Sequence, residues 1–159
     1  MSVSSSVKKT MYDIKNRPPE KLDLMVQAIH EKVFSETDCL KCARCCKEIS
    51  PIMYRHDILR LAKAVKMNLE TFVDKYLTID KDEDYVFKSK PCPFLSSDNW
   101  CDVYDDRPTA CREYPHTDRR RFHQLIDLSI KNADVCPAVE EILEKLVKVA
   151  GKDLAFRRR

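Results

Sequence analysis

Apolar side chains recur every three or four residues in three stretches of the chain, a spacing that places them on one face of an α-helix. The first stretch follows Pro18-Pro19-Glu20 and ends near Phe34, with the proline and acid favoured in a first helical turn. The second spans 56–66 and the third 138–150, where Gly151 is the predicted C-cap. The residues expected to face the protein interior are Leu22, Met25, Val26, Ile29, Val33, Ile58, Leu61, Ala62, Val65, Ile142, Leu143, Leu146 and Val149.

Shorter elements follow from local signals. Asn68 is a suitable N-cap for a short helix through Leu77, and Tyr85-Val86-Phe87 is typical of a short strand after a charged turn. The stretch from Pro91 to Pro115 has little periodicity and predicts a loop with one helical turn near residues 105–114. We therefore expect a mainly α fold: a small single-domain helical protein with two Cys-rich loops and at most a short β-hairpin.

The distribution of polar residues predicts the boundaries of the folded domain. Residues 1–17 are mostly polar and predict a flexible N-terminal segment. Residues 18–152 contain the helical patterns and the cysteines, so we expect them to form the folded domain. Residues 153–159 end in three arginines and predict a basic C-terminal tail.

Composition restricts the class of protein. Apolar residues make up 43% and charged residues 35% of the 159 residues, which is typical of a soluble globular protein. No uncharged apolar run approaches the roughly 18 residues of a membrane span, and the N-terminus has no secretory pattern. We therefore expect a cytoplasmic protein without a membrane partner. A single glycine excludes Gly-rich phosphate-binding loops.

Eight cysteines carry the candidate chemistry. In a reducing cytosol, cysteines at close spacing indicate metal binding or redox chemistry in preference to disulfides. The first group is Cys39-x2-Cys42-x2-Cys45-Cys46, and its first three members match the start of the bacterial ferredoxin pattern. Adjacent side chains diverge by roughly 100° on a helix, so Cys45 and Cys46 are not expected to bind one mononuclear ion. Either Cys46 reaches a second centre, or the site is polynuclear.

The second group is more widely spaced and comprises Cys92, Cys101, Cys111 and Cys136. Arg107 and Arg112 lie close in sequence to this group, and their guanidinium groups are expected to offset thiolate charge and tune the centre. Eight thiols allow two four-ligand sites. One partition gives Cys39, Cys42 and Cys45 one later cysteine, and gives Cys46 the other three. The alternative for members of the second group is that they are small buried hydrophobic residues.

Other side chains give weaker indications of a functional role. Trp100, Tyr104 and Tyr114 are expected to shield the metal site from water, with substrate stacking as the alternative. Arg119-Arg120-Arg121 and the C-terminal arginines form short basic runs without an aromatic pattern or a recognition helix. We therefore do not expect a nucleic-acid partner.

Three segments together resemble the YkgJ-type cysteine-cluster family, also named CxxCxxCC: Cys39–Cys46, Pro91-Cys92-Pro93-Phe94-Leu95, and Cys101-x2-Tyr104-x2-Arg107-Pro108-x2-Cys111-Arg112-x-Tyr114-Pro115. The resemblance runs from about Asp38 to Pro137. It implies a domain that chelates zinc or iron. Flagellin lysine methylases have a similar cysteine pattern and are associated with an iron–sulfur cluster, so the resemblance also suggests protein modification.

The resulting functional expectation is a metal-binding cysteine-cluster protein that holds an iron–sulfur cluster, of the 4Fe-4S type, and acts in redox or protein modification. The ferredoxin-like trio favours iron over zinc, since a second C-x2-C pair typical of zinc fingers is missing. Two alternatives stay open: a structural zinc module that mediates macromolecular interaction, and metal storage or delivery to a client protein. The sequence identifies no catalytic residue, substrate or client.

Overall fold

The computed structural model describes the backbone of residues 3–157 and the side chains of residues 3–151. The chain is mainly helical and contains a two-stranded antiparallel hairpin, which confirms the predicted fold class. In chain order the elements are α1 (Ser5–Asn16), α2 (Leu22–Glu36), α3 (Cys39–Cys42), α4 (Arg44–Glu48), α5 (Arg55–Ala64), α6 (Leu69–Tyr76), β1 (Leu77–Ile79), β2 (Tyr85–Phe87), α7 (Thr109–Glu113), α8 (Ile126–Ala133) and α9 (Pro137–Arg157). Short 3-10 turns lie at Tyr104–Asp106 and Phe122–Leu125. No helix in the described part of the chain is long and apolar enough to cross a membrane.

The chain folds as two compact units. The first unit is formed by the two ends of the chain, up to Asp38 and from Pro115 onward, and the second by Cys39–Tyr114. The folded domain expected over residues 18–152 is thus divided between the two units. Seven of the eight cysteines belong to the second unit, and Cys136 belongs to the first.

The first unit packs α1, α2, α8 and α9 around one apolar core. Predicted interior positions of α2 and α9 are buried there, among them Val26, Leu143 and Leu146. Val149 is an exception, because its side chain is 47% exposed. The carboxylate of Asp23 accepts hydrogen bonds from the backbone N–H groups of Arg121 and Phe122 at 2.8 and 2.9 Å. This cap holds the turn that precedes α8 against α2.

Both chain ends contain helix that the sequence analysis did not predict. The segment predicted to be flexible over residues 1–17 forms α1, whose first turn is capped by Ser4 Oγ accepting from the Val7 N–H at 3.3 Å. Met11 and Ile14 anchor this helix because both are fully buried. Gly151 is not a C-cap, since α9 continues through it to Arg157. The predicted tail over 153–159 is therefore helical as far as Arg157, and its last two residues lie outside the described part.

The second unit is built around a cluster of aromatic rings. Phe94 lies 6.3 Å from Phe72, 5.6 Å from Phe87 and 5.0 Å from Tyr76, measured between ring centroids. The hairpin pairs Leu77 with Phe87 and Ile79 with Tyr85. Since Phe94 follows Cys92 by two residues, this core positions the first loop of the second cysteine group.

Two helices of the second unit lie close to the positions predicted from the sequence. Helix α6 is capped by Asn68, whose Oδ1 accepts from the Thr71 N–H at 2.8 Å, which confirms the predicted N-cap. Helix α5 begins one residue before the predicted start and buries Ile58 and Leu61. It also buries the carboxylate of Asp57, which is fully inaccessible to solvent.

Candidate metal centre

The first cysteine group lies on two very short helices. Cys39 and Cys42 are the ends of α3, three residues apart and hence on the same side of that helix. Ala43 separates α3 from α4 in a left-handed conformation with φ 47° and is almost fully buried. The sharp turn lets the chain present four thiols within eight residues, of which Cys39 is exposed and the other three are half-buried.

Cys45 and Cys46 do not diverge as the sequence analysis expected. Their sulfur atoms lie 4.0 Å apart, so the two side chains turn toward each other on α4. The hydrogen bond from Cys45 lowers the pKa of Cys46 to about 7, with help from the charge of Lys47 and against the effect of burial. Cys46 is thus inclined toward the thiolate form, the form that binds metal.

Two backbone contacts attach the second cysteine loop to the first group. The Cys92 N–H donates to the Cys46 carbonyl at 2.8 Å, and Asn99 Nδ2 donates to the Lys41 carbonyl at 3.3 Å. Within the loop, Cys101 pairs with Leu95 in an isolated antiparallel bridge, and the Leu95 N–H donates to the Cys92 carbonyl at 3.1 Å. These bonds bring Cys46, Cys92 and Cys101 together from segments that are far apart in sequence.

The thiols of Cys46, Cys92, Cys101 and Cys111 interact electrostatically as a group. Burial raises the pKa of Cys92 to about 11, that of Cys111 to about 12, and that of Cys101 above its ordinary value. Charge on the neighbouring thiols acts in the same direction, and each of the six pairs among the four residues contributes. Negative charges on four interacting thiolates repel one another, so a bound cation would stabilise them.

Backbone donors are already directed at two of these sulfurs. The Phe94 N–H donates to the Cys92 sulfur and the Val103 N–H to the Cys101 sulfur, and each bond acts to lower the pKa of its cysteine. In both cases the donor lies two residues after the cysteine. Such N–H groups stabilise a coordinated thiolate and tune the metal that it binds.

Arg107 and Arg112 have different surroundings. The charge of Arg107 lowers the pKa of both Cys101 and Cys111, and its guanidinium lies 3.9 Å from the Tyr104 ring centroid. Arg112 Nε donates to the Arg107 carbonyl at 3.0 Å, and its Nη2 donates to the Asp105 carbonyl. Arg107 thus acts on the thiols through its charge and also donates from Nη1 to the Tyr104 carbonyl at 2.7 Å, so both arginines hold the backbone of the loop.

Two of the aromatic residues expected to shield the centre are exposed. Trp100 and Tyr104 stack with ring centroids 5.6 Å apart, and their side chains are 48% and 43% exposed. They line a groove of about 300 Å³ together with Cys101, Asp105 and Asp106. The core supplies an apolar cover for Cys92 and Cys101, which pack against it, and Val103 and Phe94 are buried there.

Cys136 has surroundings of another kind. It lies in the first unit, half-buried against the core residues there, and its N–H donates to the Asn132 carbonyl at 2.7 Å before α9 begins. Its metal-binding role remains a prediction. Across the residues that the structure describes, no three His, Cys, Asp or Glu side chains already surround a single ion position.

Asp57 is the structural residue that sequence reasoning missed. Its carboxylate accepts from the N–H and hydroxyl of Thr109 and from Arg60, which links α5 to the helix that carries Cys111. The available signal was an acid in the first turn of a predicted helix, which sequence alone interprets as a surface cap. Nothing in the sequence indicates that Thr109 is the hydrogen-bond partner of Asp57.

The donor set and its backbone support define a metal-binding cysteine-cluster protein. Thiols from three short helices and one loop lie in one unit, and backbone amides and cations act on them. A family model matches residues 38–137 and is described as "CxxCxxCC: Putative zinc- or iron-chelating domain". The chain belongs to this family, which confirms the resemblance found in the sequence. Neither a search of curated proteins nor a search of solved structures finds a match.

Proposed function

We propose that this protein holds an iron–sulfur cluster, of the 4Fe-4S type, and acts in redox chemistry or protein modification. The observation that carries the proposal is the backbone hydrogen bond of 2.8 Å from Cys92 to Cys46, which, with the bridge between Leu95 and Cys101, brings cysteines from separate segments together. Thiolate sulfur is the usual ligand of such clusters. A cluster of this type takes four cysteine ligands, here Cys46, Cys92, Cys101 and Cys111, and the other four predicted metal ligands, Cys39, Cys42, Cys45 and Cys136, suffice for a second site.

The donor chemistry fits the proposed group. The thiols interact electrostatically with one another and with Arg107 and Lys47, cations that offset thiolate charge. The Phe94 and Val103 N–H groups donate to sulfur, an arrangement that tunes reduction potential. A bound cluster would supply one-electron transfer. The cysteine thiolates would hold the cluster, the apolar core around Phe94 would exclude water from it, and the Arg107 guanidinium would balance its negative charge.

A structural zinc site is the second candidate. All-sulfur ligation also suits zinc, and Cys92 and Cys111 are the kind of half-buried thiols around which a loop folds. In that case the exposed Trp100–Tyr104 surface is available for a macromolecular partner. Metal storage or delivery to a client protein is a third use of the same ligands. We place the protein in the cytoplasm because thiols remain reduced there.

Anaerobic purification followed by elemental analysis and absorption spectroscopy tests the proposal. We expect iron and acid-labile sulfide in near-equal amounts, with broad absorption across the visible range. The Arg107→Lys variant is a suitable companion, since it keeps the positive charge and should keep the same iron content. Colourless protein that contains zinc after growth in iron-rich medium would overturn the iron–sulfur assignment and favour the structural zinc module.

A further inference from the structure

Trp100 lies in a small hairpin that also carries Cys101. The Ser96 N–H donates to the Trp100 carbonyl at 2.9 Å, and the Asp102 N–H donates to the Phe94 carbonyl at 2.9 Å. Successive side chains of such extended backbone point to opposite faces. Cys101 accordingly packs against the core of the second unit, whereas Trp100 and Asp102 are exposed on the other face of the hairpin.

Two carboxylates near Trp100 are held in place by hydrogen bonds. Asp98 Oδ1 accepts from the Trp100 N–H at 3.1 Å, and Asp102 Oδ1 accepts from the Ser96 hydroxyl. Both aspartates are exposed, and neither takes part in an ion pair among the residues that the structure describes. The described hydrogen bonds use one oxygen of each carboxylate, so the Oδ2 atoms can accept from a ligand.

The aromatic pair beside these carboxylates already binds one guanidinium group. Arg107 lies 3.9 Å from the Tyr104 ring centroid, and Tyr104 stacks with Trp100 at 5.6 Å. Arg112 lies near the same end of the groove, where it donates to the Asp105 carbonyl. The Tyr104 end is thus occupied by cations of this chain, whereas the more exposed ring, Trp100, lies beside the two hydrogen-bonded carboxylates.

We propose that the Trp100 end of the groove binds an arginine side chain from a basic segment of a partner protein. A guanidinium group stacks on a tryptophan ring, and its N–H groups donate to carboxylate oxygens, which Asp98 and Asp102 supply here. The groove of about 300 Å³ is at the lower limit of ligand pockets and suits one side chain. This inference goes beyond the proposed metal centre and holds whichever metal is bound, because Trp100 and Asp102 lie on the opposite face of the hairpin from Cys101.

Charge distinguishes a basic peptide from other partners that stack on tryptophan. A nucleobase also stacks on such a ring, but Asp98 and Asp102 repel the phosphates that accompany it. A second copy of this chain is another source of arginine, since residues 119–121 are exposed arginines. Nucleic acid and self-association are therefore outcomes that the test must separate from peptide binding.

Binding of synthetic peptides to the anaerobically purified full-length protein tests the proposal. The probe is a fluorescently labelled peptide of repeated Gly-Ser-Arg units, compared with matched peptides that have lysine or uncharged citrulline in place of arginine. Affinity is measured by fluorescence anisotropy. Trp100 is the single tryptophan of the 159 residues, so its own fluorescence reports on the proposed contact.

The variants separate stacking from charge. Trp100→Ala removes the ring, and Trp100→Phe keeps an aromatic surface. The double variant Asp98→Asn with Asp102→Asn removes both charges, while the amide oxygens can still accept from the Trp100 N–H and the Ser96 hydroxyl. Asp82→Asn is the control, since Asp82 is an exposed aspartate of the same unit that lies outside the groove. Metal content and circular dichroism are recorded for every protein.

We expect the arginine peptide to bind more tightly than the lysine peptide, and the citrulline peptide to bind most weakly. Trp100→Ala should weaken binding of the arginine peptide about tenfold, and Trp100→Phe should weaken it less. The double variant should weaken binding at least about threefold, and this difference should shrink when salt is raised to about 0.5 M. Metal content should equal that of the wild type in each variant, because none of these residues is a predicted ligand.

Equal affinity for the arginine and citrulline peptides, or wild-type affinity in Trp100→Ala, would overturn this inference and leave the proposed metal centre intact. If Trp100→Ala fails to fold, the double variant decides in the same way. Binding of a labelled single-stranded oligonucleotide in place of the peptide would overturn it, and so would self-association in sedimentation that the double variant abolishes. A wild type that binds the arginine peptide but contains zinc without sulfide would support this inference and overturn only the iron–sulfur assignment.

Discussion

Asp57 and Thr109 are joined by two hydrogen bonds although 52 residues separate them in sequence. The Thr109 N–H and hydroxyl donate to Asp57 Oδ1 at 3.0 and 2.9 Å, and Arg60 Nη2 donates to the same oxygen at 2.6 Å. The Tyr54 N–H donates to the second oxygen at 3.2 Å. Because Cys111 follows Thr109 by two residues, this buried carboxylate positions a predicted metal ligand without touching it.

Asp57→Asn should destabilise the second unit. Four donors converge on the carboxylate, and an amide offers one acceptor oxygen and a competing NH₂ group, so at least one buried donor is left unpaired. We expect a loss of about 2–4 kcal/mol in the free energy of unfolding, measured by urea denaturation of the metal-loaded protein. Asp82→Asn is the control, since Asp82 is an exposed aspartate of the same unit. A loss no larger than that of the control would contradict this role.

The contribution of Asp57 should depend on pH in one direction. Burial acts to raise the pKa of this carboxyl, but the hydrogen bonds from Thr109, Arg60 and Tyr54 outweigh it and the net pKa is lowered. A carboxyl whose pKa is lower in the folded state stabilises the fold above its unfolded pKa of about 3.9 and loses that effect as pH falls further. The difference between wild type and Asp57→Asn should therefore be constant from about pH 5 to 7 and shrink below about pH 4. Because the free energies of unfolding of the two proteins are compared at each pH, the effect of metal loss common to both cancels. A difference that stays constant down to about pH 2 would refute the assignment.

The position of Asp57 in a helix could be predicted from the sequence, but its burial could not. Its place near the start of a helix was evident, because the apolar spacing of Ile58 and Leu61 predicts α5. Its burial depends on Thr109 and Arg60 meeting it in space, and such a contact leaves no periodic signal. The same holds for Cys45 and Cys46, whose side chains were expected from ideal helix geometry to diverge but have sulfur atoms only 4.0 Å apart on a five-residue helix.

Helices with a long apolar face were the most predictable elements. Helices α2, α5, α6 and α9 were expected from spacing and capping residues, and the strand at 85–87 from its β-branched and aromatic residues. Helix α1 was missed because its interior face depends on few residues, chiefly Met11 and Ile14, within a polar segment. Gly151 was misassigned because a glycine near the end of an apolar pattern resembles a C-cap, whereas nothing lies within 4 Å of the position of an added Cβ and the helix simply continues.

Arg107→Ala should weaken metal retention without abolishing binding. The guanidinium charge acts on the thiols of Cys101 and Cys111, and its removal leaves thiolate charge less compensated. We expect release to a chelator to become about 10–100-fold faster, and the reduction potential of a bound cluster to become more negative. Both quantities are measured on protein with the same initial metal content.

The charge-preserving variant Arg107→Lys separates electrostatics from packing. It loses the stacking of the guanidinium on Tyr104 but keeps a cation, so its release rate should lie near that of the wild type. Equal acceleration in the Ala and Lys variants would show that Arg107 acts through its contact with Tyr104. Unchanged release in both would remove Arg107 from the metal centre altogether.

Cys136 is the predicted ligand whose role needs a direct test. Its side chain packs against the first unit's core, so a structural role alone predicts that Cys136→Ala retains metal and loses only a little stability. If Cys136 is a ligand, both the Cys136→Ala and the Cys136→Ser proteins should lose metal, while their helical content measured by circular dichroism stays unchanged. Metal content per chain, compared with that of Cys111→Ser, is the measurement. Full metal content in both Cys136 variants would restrict the ligands to the second unit.

Ser129 is a site where the first unit should gain stability. Its side chain is 1% exposed on α8, and its hydroxyl is among the buried polar atoms without a hydrogen-bond partner in the described part of the chain. Ser129→Ala removes the cost of that buried hydroxyl and places a better helix former in α8, so we expect a gain of about 1 kcal/mol. The gain is measured by urea denaturation beside Ser6→Ala, an exposed serine on a helix of the same unit. Metal content should stay at the wild-type value, since Ser129 and the seven cysteines of the second unit belong to different units. A gain no greater than in the control would mean that the Ser129 hydroxyl is satisfied in solution, by a water molecule or by another rotamer.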